Sequence, residues 1–145
     1  MKLYTIGFAG KSAEEFFELL KRHGVKTLID ARLNNKSQLA GFTKVKDFPY
    51  LLKHLAGIEY RYAAPLAPTK ELLDGYKEGN IRWSDYETIY NALLDERDLE
   101  ALDTQILNDG CILCSEPTAD QCHRRLAAEY LRDLYPEENI DIIHL

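Results

Sequence analysis

Apolar positions along the chain change period several times, and each change marks an element. Leu3-Tyr4-Thr5-Ile6-Gly7 is an apolar run closing on a glycine, which predicts a first strand. From Ser12 the spacing turns helical: Phe16, Phe17, Leu19, Leu20 and His23 follow, most of them on one face, and Gly24 is a plausible stop. Ser12 with Glu15 three residues later is a capping-box pattern. Val25 to Ala31 predicts a second strand. A strand, a helix and a strand in about thirty residues form a βαβ unit, so these two strands should be parallel.

The periodicity vanishes from Arg32 to Gly41, where Asn34, Asn35, Ser37 and Gln38 mark a loop. A helix is predicted from Phe48 to Leu55, with Pro49 tolerated in its first turn and Gly57 ending it. Ile58 to Tyr62 alternates as a third strand. Ala64 to Lys70 is a proline-marked connection, Glu71 to Lys77 a short helix, and Gly79-Asn80 a break. Ser84 with Glu87 is a second capping-box pattern, opening a helix to the region of Glu96, and a further helix is predicted from Asp98 to Leu107. Asn108-Asp109-Gly110 is a turn. Cys111 to Cys114 is nearly all apolar, as a strand covered on both faces is. Thr118 with Gln121, or Asp120 alone, is the predicted cap of a helix carrying Leu126, Ala127, Tyr130, Leu131 and Leu134. Pro136 stops that helix, and Ile140 to Leu145 supplies a last strand.

This alternation predicts an α/β fold: one three-layer domain over residues 1–145, with a mostly parallel open sheet and helices on both faces. Ligands in such folds sit beyond the carboxyl ends of the strands. Those ends are Gly7-Phe8, Asp30-Ala31-Arg32, Tyr62 and Cys114-Ser115-Glu116, so the loops that follow them are expected to converge on one face.

Charge narrows the choice of partner. The net charge is −6, which argues against sequence-blind binding to long nucleic acid. A local basic site remains open: no acidic residue lies between Asp30 and Asp47, while Arg32, Lys36, Lys44 and Lys46 are basic. The partners this leaves are a small anionic ligand or nucleic acid. Apolar runs fall far short of the roughly 20 residues needed to span a bilayer, so no membrane partner is expected. The chain opens directly on a strand pattern, with no export signal, and carries an odd number of cysteines. A reducing cytoplasm is therefore expected, and a disulfide framework is not.

The densest chemistry lies between Cys111 and Arg125. Cys111 and Cys114 have zinc-knuckle spacing, but Ile112 and Leu113 predict a strand between them, which points the two thiols to opposite faces. Cys111 is then core. A smaller metal or redox cluster of Cys114, Cys122 and His123, with an oxygen from Glu116, remains geometrically open, and no cofactor is specified. Cys114 sits at a strand end and Cys122 near a helix start beside His123 and Arg124, where thiols are acidified. The plain alternative for each is a small buried side chain. The candidate catalytic residues are Cys114, Glu116, Cys122 and His123. The candidate substrate-binding residues are Asp30, Arg32, Lys36, Ser37, Tyr62 and Arg124, with the arginines as bidentate oxyanion ligands. Asp30 alone is more simply an ion-pair or loop-capping partner of Arg32. Tyr76, Trp83, Tyr86 and Tyr90 are expected mostly to pack helices, with Tyr62 as the aromatic exception. No glycine-rich dinucleotide fingerprint and no P-loop is present.

Together, Tyr4-Thr5-Ile6-Gly7, Asp30-Ala31-Arg32 with Ser37 five residues later, Cys114-Ser115-Glu116 and Cys122-His123-Arg124 resemble the domain-of-unknown-function 488 family. Gly41-Phe42-Thr43-Lys44 and Leu66-Ala67-Pro68-Thr69-Lys70-Glu71 look like one branch of it. The resemblance implies a cytoplasmic α/β domain of bacteria or archaea and supplies no substrate. Many members carry His-Ser after the first glycine, where this chain has Phe8-Ala9. The expected function is that of an enzyme on an anionic, phosphate-bearing substrate such as a nucleotide or a nucleic-acid end. The alternatives are a non-catalytic nucleic-acid-binding module and a Cys/His metal or thiol-redox site.

Overall fold

The computed structural model describes residues 1–36 and 41–145. Its regular elements are β1 (Lys2–Gly7), α1 (Ala13–Arg22), β2 (Thr27–Asp30), α2 (Phe48–Ala56), β3 (Glu59–Tyr62), α3 (Lys70–Lys77), α4 (Trp83–Glu96), β4 (Gly110–Cys114), α5 (His123–Leu134) and β5 (Asp141–His144). The strands form one sheet in the order β3-β2-β4-β1-β5, and every neighbouring pair is parallel. The α/β fold read from the periodicity is the fold observed.

Local chemistry explains several element ends. The Ser12 hydroxyl accepts from the Glu15 backbone N–H, as the capping pattern predicts. Gly57 closes α2 at φ 66°, in the left-handed region that glycine enters without a Cβ penalty. Three expectations fail. Residues 98–107 form two short 3₁₀ turns, Leu99–Ala101 and Thr104–Leu107, instead of one helix. The Asp103 carboxylate bonds the Gln105 N–H at 2.9 Å, and such a local side-chain bond competes with helix continuation. Ser84 lies inside α4, which starts at Trp83 with Arg82 as an N-cap that makes no side-chain bond. Trp83 stacks on Tyr86 one turn along, so aromatic packing sets this start. The cap of α5 is Cys122, in place of Thr118 or Asp120.

Strand alternation divides the core into two layers. Tyr4, Ile6, Leu28, Cys111 and Leu113 pack with Phe16, Phe17 and Leu20 of α1 and with Phe48 and Leu52 of α2. Leu3, Ile29 and Ile112 pack with Leu72 of α3, Tyr86, Tyr90 and Leu94 of α4 and Leu126, Ala127 and Leu131 of α5. Cys111 is thus a core residue of the first layer, and burial pushes its thiol up, away from ionisation.

Topology then fixes where a ligand can sit. From β1 the chain passes through α1 to β2 on one side, and from β4 it passes through α5 to β5 on the other. The two directions part between β1 and β4, which are direct neighbours with Gly7 paired to Cys114. A crevice opens at such a reversal, beyond the carboxyl ends of the strands. Gly7 is required there by close approach: a Cβ would fall on the Glu116 carbonyl and 2.5 Å from Arg124 Nη1. We expect Gly7→Ala to destabilise the protein by about 3 kcal/mol or more, the upper range of overpacking. Gly41→Ala, where a Cβ meets nothing within 4 Å, should stay within about 0.5 kcal/mol of the parent. Paired urea unfolding curves measure both.

Candidate functional site

A cavity of about 640 Å³ lies at this reversal point, within the roughly 300–1,000 Å³ typical of small-molecule sites. The turn after β1 contributes Phe8 and Lys11, the end of β2 contributes Arg32, and the end of β4 contributes Cys114 and Glu116. Cys122 and His123 enter from the start of α5. Tyr76 and Lys77 enter from α3, and Trp83 and Tyr86 from α4.

Asp30 and Arg32 form a buried pair. Asp30 is fully buried and Arg32 is 4% exposed. Arg32 Nε donates to Asp30 Oδ1 at 2.9 Å and Nη2 to Oδ2 at 3.0 Å, a bidentate fork. The Arg32 backbone N–H and the Tyr60 hydroxyl also donate to the carboxylate, at 3.1 and 2.6 Å. Asp30 is saturated, the bland role its sequence context suggests. Arg32 is not. Nη2 also reaches the Thr43 carbonyl, but Nη1 is buried without a hydrogen-bond partner among the described residues. The guanidinium lies over the rings of Phe8 and Phe48, at 5.6 and 5.8 Å from their centroids.

Arg124 is the other buried cation. Its Nε donates to Thr5 Oγ1 at 3.2 Å, and its Nη1 donates to Cys114 Sγ at 3.2 Å and to the Glu116 carbonyl. All these partners are neutral in their ordinary states, so burial works against the guanidinium charge. The sulfurs of Cys114 and Cys122 are paired across the site, with Cα atoms 7.7 Å apart. The redox alternative read from the sequence groups these two thiols, whereas the odd cysteine count predicts no disulfide framework. Ordinary disulfides have Cα separations of roughly 4.4–6.8 Å, so one of that kind would bring the β4 end and the α5 cap closer.

His123 is neutral by construction. Its Nε2–H donates to the Ala31 carbonyl at 2.8 Å, which fixes the tautomer and leaves Nδ1 as acceptor. Burial pulls the imidazole down to about 4. Lys11 Nζ donates to the Gly7 carbonyl at 2.8 Å. Burial, and then the neighbouring Arg124 charge, pull that amine below the ordinary lysine value. Glu116 is exposed and lines the cavity.

Of the residues singled out in the sequence, Arg32, Cys114, Glu116, Cys122 and His123 line the cavity. Asp30 and Arg124 do not; they support residues that do. Tyr62 lies on an edge strand, and its hydroxyl donates to the Arg32 carbonyl at 3.1 Å, holding the start of the Arg32 loop. Lys36 is exposed and away from the cavity lining. Ser37 lies outside the described residues. Among the described residues no group of three or more His, Cys, Asp or Glu is arranged to hold a metal ion, and no helix is long and apolar enough to cross a membrane. Lys11, Lys77, Trp83 and Gln121 line the cavity without having been singled out as site residues. Lys11 follows the β1 glycine closely, the one local signal available; the others arrive through tertiary packing of α3, α4 and the loop before α5.

Two measurements test this arrangement. Asp30→Asn leaves Arg32 a buried charge without its counterion, and should cost about 3–5 kcal/mol in chemical unfolding. For His123, the unfolded imidazole takes up its proton near pH 6.5 and the folded one only near 4. The unfolded state binds more protons between these values, so this stabilisation is complete above 6.5 and is lost as pH falls toward 4. The expected loss is about 3 kcal/mol. His123→Gln should be less stable at pH 7 and should show a pH dependence flatter by that amount across the window.

No curated protein and no solved structure matches the chain. The family model described as Domain of unknown function DUF488 matches residues 12–131, and the match takes in β2, β3 and β4, the loops that follow them and the start of α5. The chain belongs to the DUF488 family.

Proposed function

We propose that this chain is an enzyme that binds a phosphate-bearing small molecule at the β1/β4 reversal and acts on it through Cys114. One observation carries the reading: Arg32 Nη1, on a side chain almost wholly buried, has no hydrogen-bond partner among the described residues and belongs to a residue lining the cavity. A buried charged donor left unsatisfied is costly. An oxyanion in the cavity removes that cost, and Asp30 already holds the other edge of the guanidinium in place. Lys11 and Lys77 add positive charge to the same lining.

Cys114 is the nucleophile in this reading. A guanidinium donating to sulfur favours the thiolate, the reactive form of a cysteine. Sγ forms the new bond to the electrophilic centre of the substrate, and the leaving group departs with the bonding pair and takes up a proton. Glu116, at the water-accessible part of the lining, is the residue we assign to deliver that proton. His123 contributes an acceptor at Nδ1. We assign the Cys-x-Glu and Cys-His-Arg runs to the working site, and the Leu66-to-Glu71 segment to the branch it resembles. We place the protein in the cytoplasm, where thiols stay reduced.

A second reading has an observation of its own. The pairing of the Cys114 and Cys122 sulfurs suits a dithiol that gives up two electrons and two protons to an oxidant such as a peroxide or another disulfide, and becomes a disulfide. The two readings diverge under alkylation.

Calorimetric titration with inorganic phosphate and simple phosphate monoesters tests the first. We expect saturable binding, weakened about tenfold or more in Arg32→Lys, which keeps a cation near Asp30 and loses the fork. Phosphate should slow alkylation of Cys114, located by mass spectrometry, and Cys114→Ser should retain binding. Absence of binding at millimolar phosphate ester, with alkylation unaffected, sinks the anion reading. Conversion of Cys114 and Cys122 to a disulfide by mild peroxide, reversed by dithiol reagent and indifferent to phosphate, selects the redox reading.

A further inference from the structure

The cavity has a second, chemically different end. Trp83 and Tyr86 stack with ring centroids 5.0 Å apart and planes 16° apart, and Tyr86 stacks in turn on Tyr90 at 6.1 Å and 17°. Tyr90 meets the edge of His123 at 5.8 Å. The rings form a column from the floor of the site outward. Tyr86 and Tyr90 are buried inside it, whereas Trp83, its outer member, is only partly buried and lines the cavity. Tyr76 packs against both Trp83 and Tyr86, at 5.4 Å to each. These rings are held by one another, so a planar ligand meets a rigid surface and little freedom is lost on stacking.

A hydrogen-bonding group stands beside this surface. The Tyr76 hydroxyl donates to Gln121 Oε1 at 2.6 Å. With Oε1 accepting from Tyr76, both Nε2 protons are left to donate. Gln121 is exposed to solvent and lines the cavity.

We propose that Trp83, Tyr76 and Gln121 form a ring-binding subsite, so that the ligand is a mononucleotide: the phosphate at Arg32, the base against Trp83, and Gln121 Nε2 donating to a carbonyl or ring nitrogen of the base. The proposal rests on the anion reading of the Arg32 end and adds the identity of the other end. A sugar phosphate leaves the aromatic surface unused. A long single strand needs a basic groove along its backbone, and the net charge of −6 opposes it.

Trp83 is the chain's single tryptophan, so its fluorescence reports on this subsite directly. The experiment titrates the full chain with AMP, GMP, CMP and UMP, with ribose 5-phosphate, and with a short 5′-phosphorylated oligonucleotide, following fluorescence and heat. At least one nucleoside monophosphate should bind about tenfold or more tighter than ribose 5-phosphate, the scale of one stacked base, and should quench Trp83. Trp83→Leu should bring that affinity down to the ribose 5-phosphate value. Gln121→Glu replaces a donor with an acceptor at an exposed position and should reorder the four bases, so the proposal remains testable if Trp83→Leu does not fold. Equal affinity for ribose 5-phosphate and all four nucleotides overturns the ring subsite and leaves the anion reading standing. Binding by none of these ligands overturns both. An oligonucleotide that binds more tightly than every mononucleotide, and loses affinity steeply with salt, overturns the commitment to a mononucleotide.

Discussion

The site depends on a buried positive charge that the fold does not neutralise. Arg124 projects from the start of α5 into the seam between β1 and β4, where it is fully buried. It donates to a hydroxyl, a sulfur and a backbone carbonyl, one group on β1, one on β4 and one just after it. These bonds satisfy its geometry but not its charge, and an isolated buried charge costs several kcal/mol. The guanidinium therefore does two things with one side chain: it ties α5 to the central strands, and it sets a donor on the Cys114 sulfur at the cavity wall. Gly7 makes the arrangement possible, because any side chain there would occupy the space of the Arg124 and Glu116 contact.

Arg32 has the complementary status. Its charge is neutralised by Asp30, and Asp30 is locked by the Tyr60 hydroxyl and a backbone N–H. The pair is rigid, and its Nη1 is buried with no hydrogen-bond partner among the described residues. Tyr62, from the edge strand, holds the backbone at Arg32, so even a residue outside the cavity contributes to aiming the guanidinium. The dependence of the site on β3 is thus indirect, through the hydroxyls of two tyrosines.

Most of the fold was legible because its signals are local. Apolar runs ending in glycine or a polar loop located the strands, and Ser12 located α1 within a residue. Two of the failures have one cause in common: a nearby contact overrode the local pattern. Trp83 packing moved the start of α4, and the Asp103 side chain broke residues 98–107 into turns. The site was legible in part for the same reason. Strand-end residues such as Arg32, Cys114 and Glu116 are assigned to one sheet edge by topology alone. Which of two arginines lines the cavity is a different kind of fact. It depends on whether a carboxylate lies within reach of each, and on which nitrogen is consumed by a carbonyl contact across the fold. Nothing in the spacing of Arg32 or Arg124 records that. The aromatic wall was harder still, since Tyr76 and Trp83 read as helix packing and are indeed packed; that they also border the cavity depends on how α3 and α4 lie beside the sheet edge.

The placement of the Leu66–Lys70 segment shows how such non-local information is stored. Tyr90 of α4 donates to the Leu66 carbonyl at 2.6 Å, and Arg97 donates to the carbonyls of Pro65 and Ala67, each at 2.6 Å. Thr69 then caps α3 by accepting from the Leu72 N–H. The sharp connection between β3 and α3 is therefore pinned from α4, and with it the direction in which α3 leaves the sheet. That direction carries Tyr76 to Trp83 and Gln121, and Lys77 to the cavity. Weakening the Arg97 contacts would loosen the aromatic end of the cavity while the Arg32 and Arg124 contacts, built on the strand ends, have no direct dependence on them. The two ends of the cavity meet at α4: Tyr90 holds the Leu66 carbonyl on one side and packs against His123 on the other, and His123 in turn donates to the Ala31 carbonyl beside Arg32.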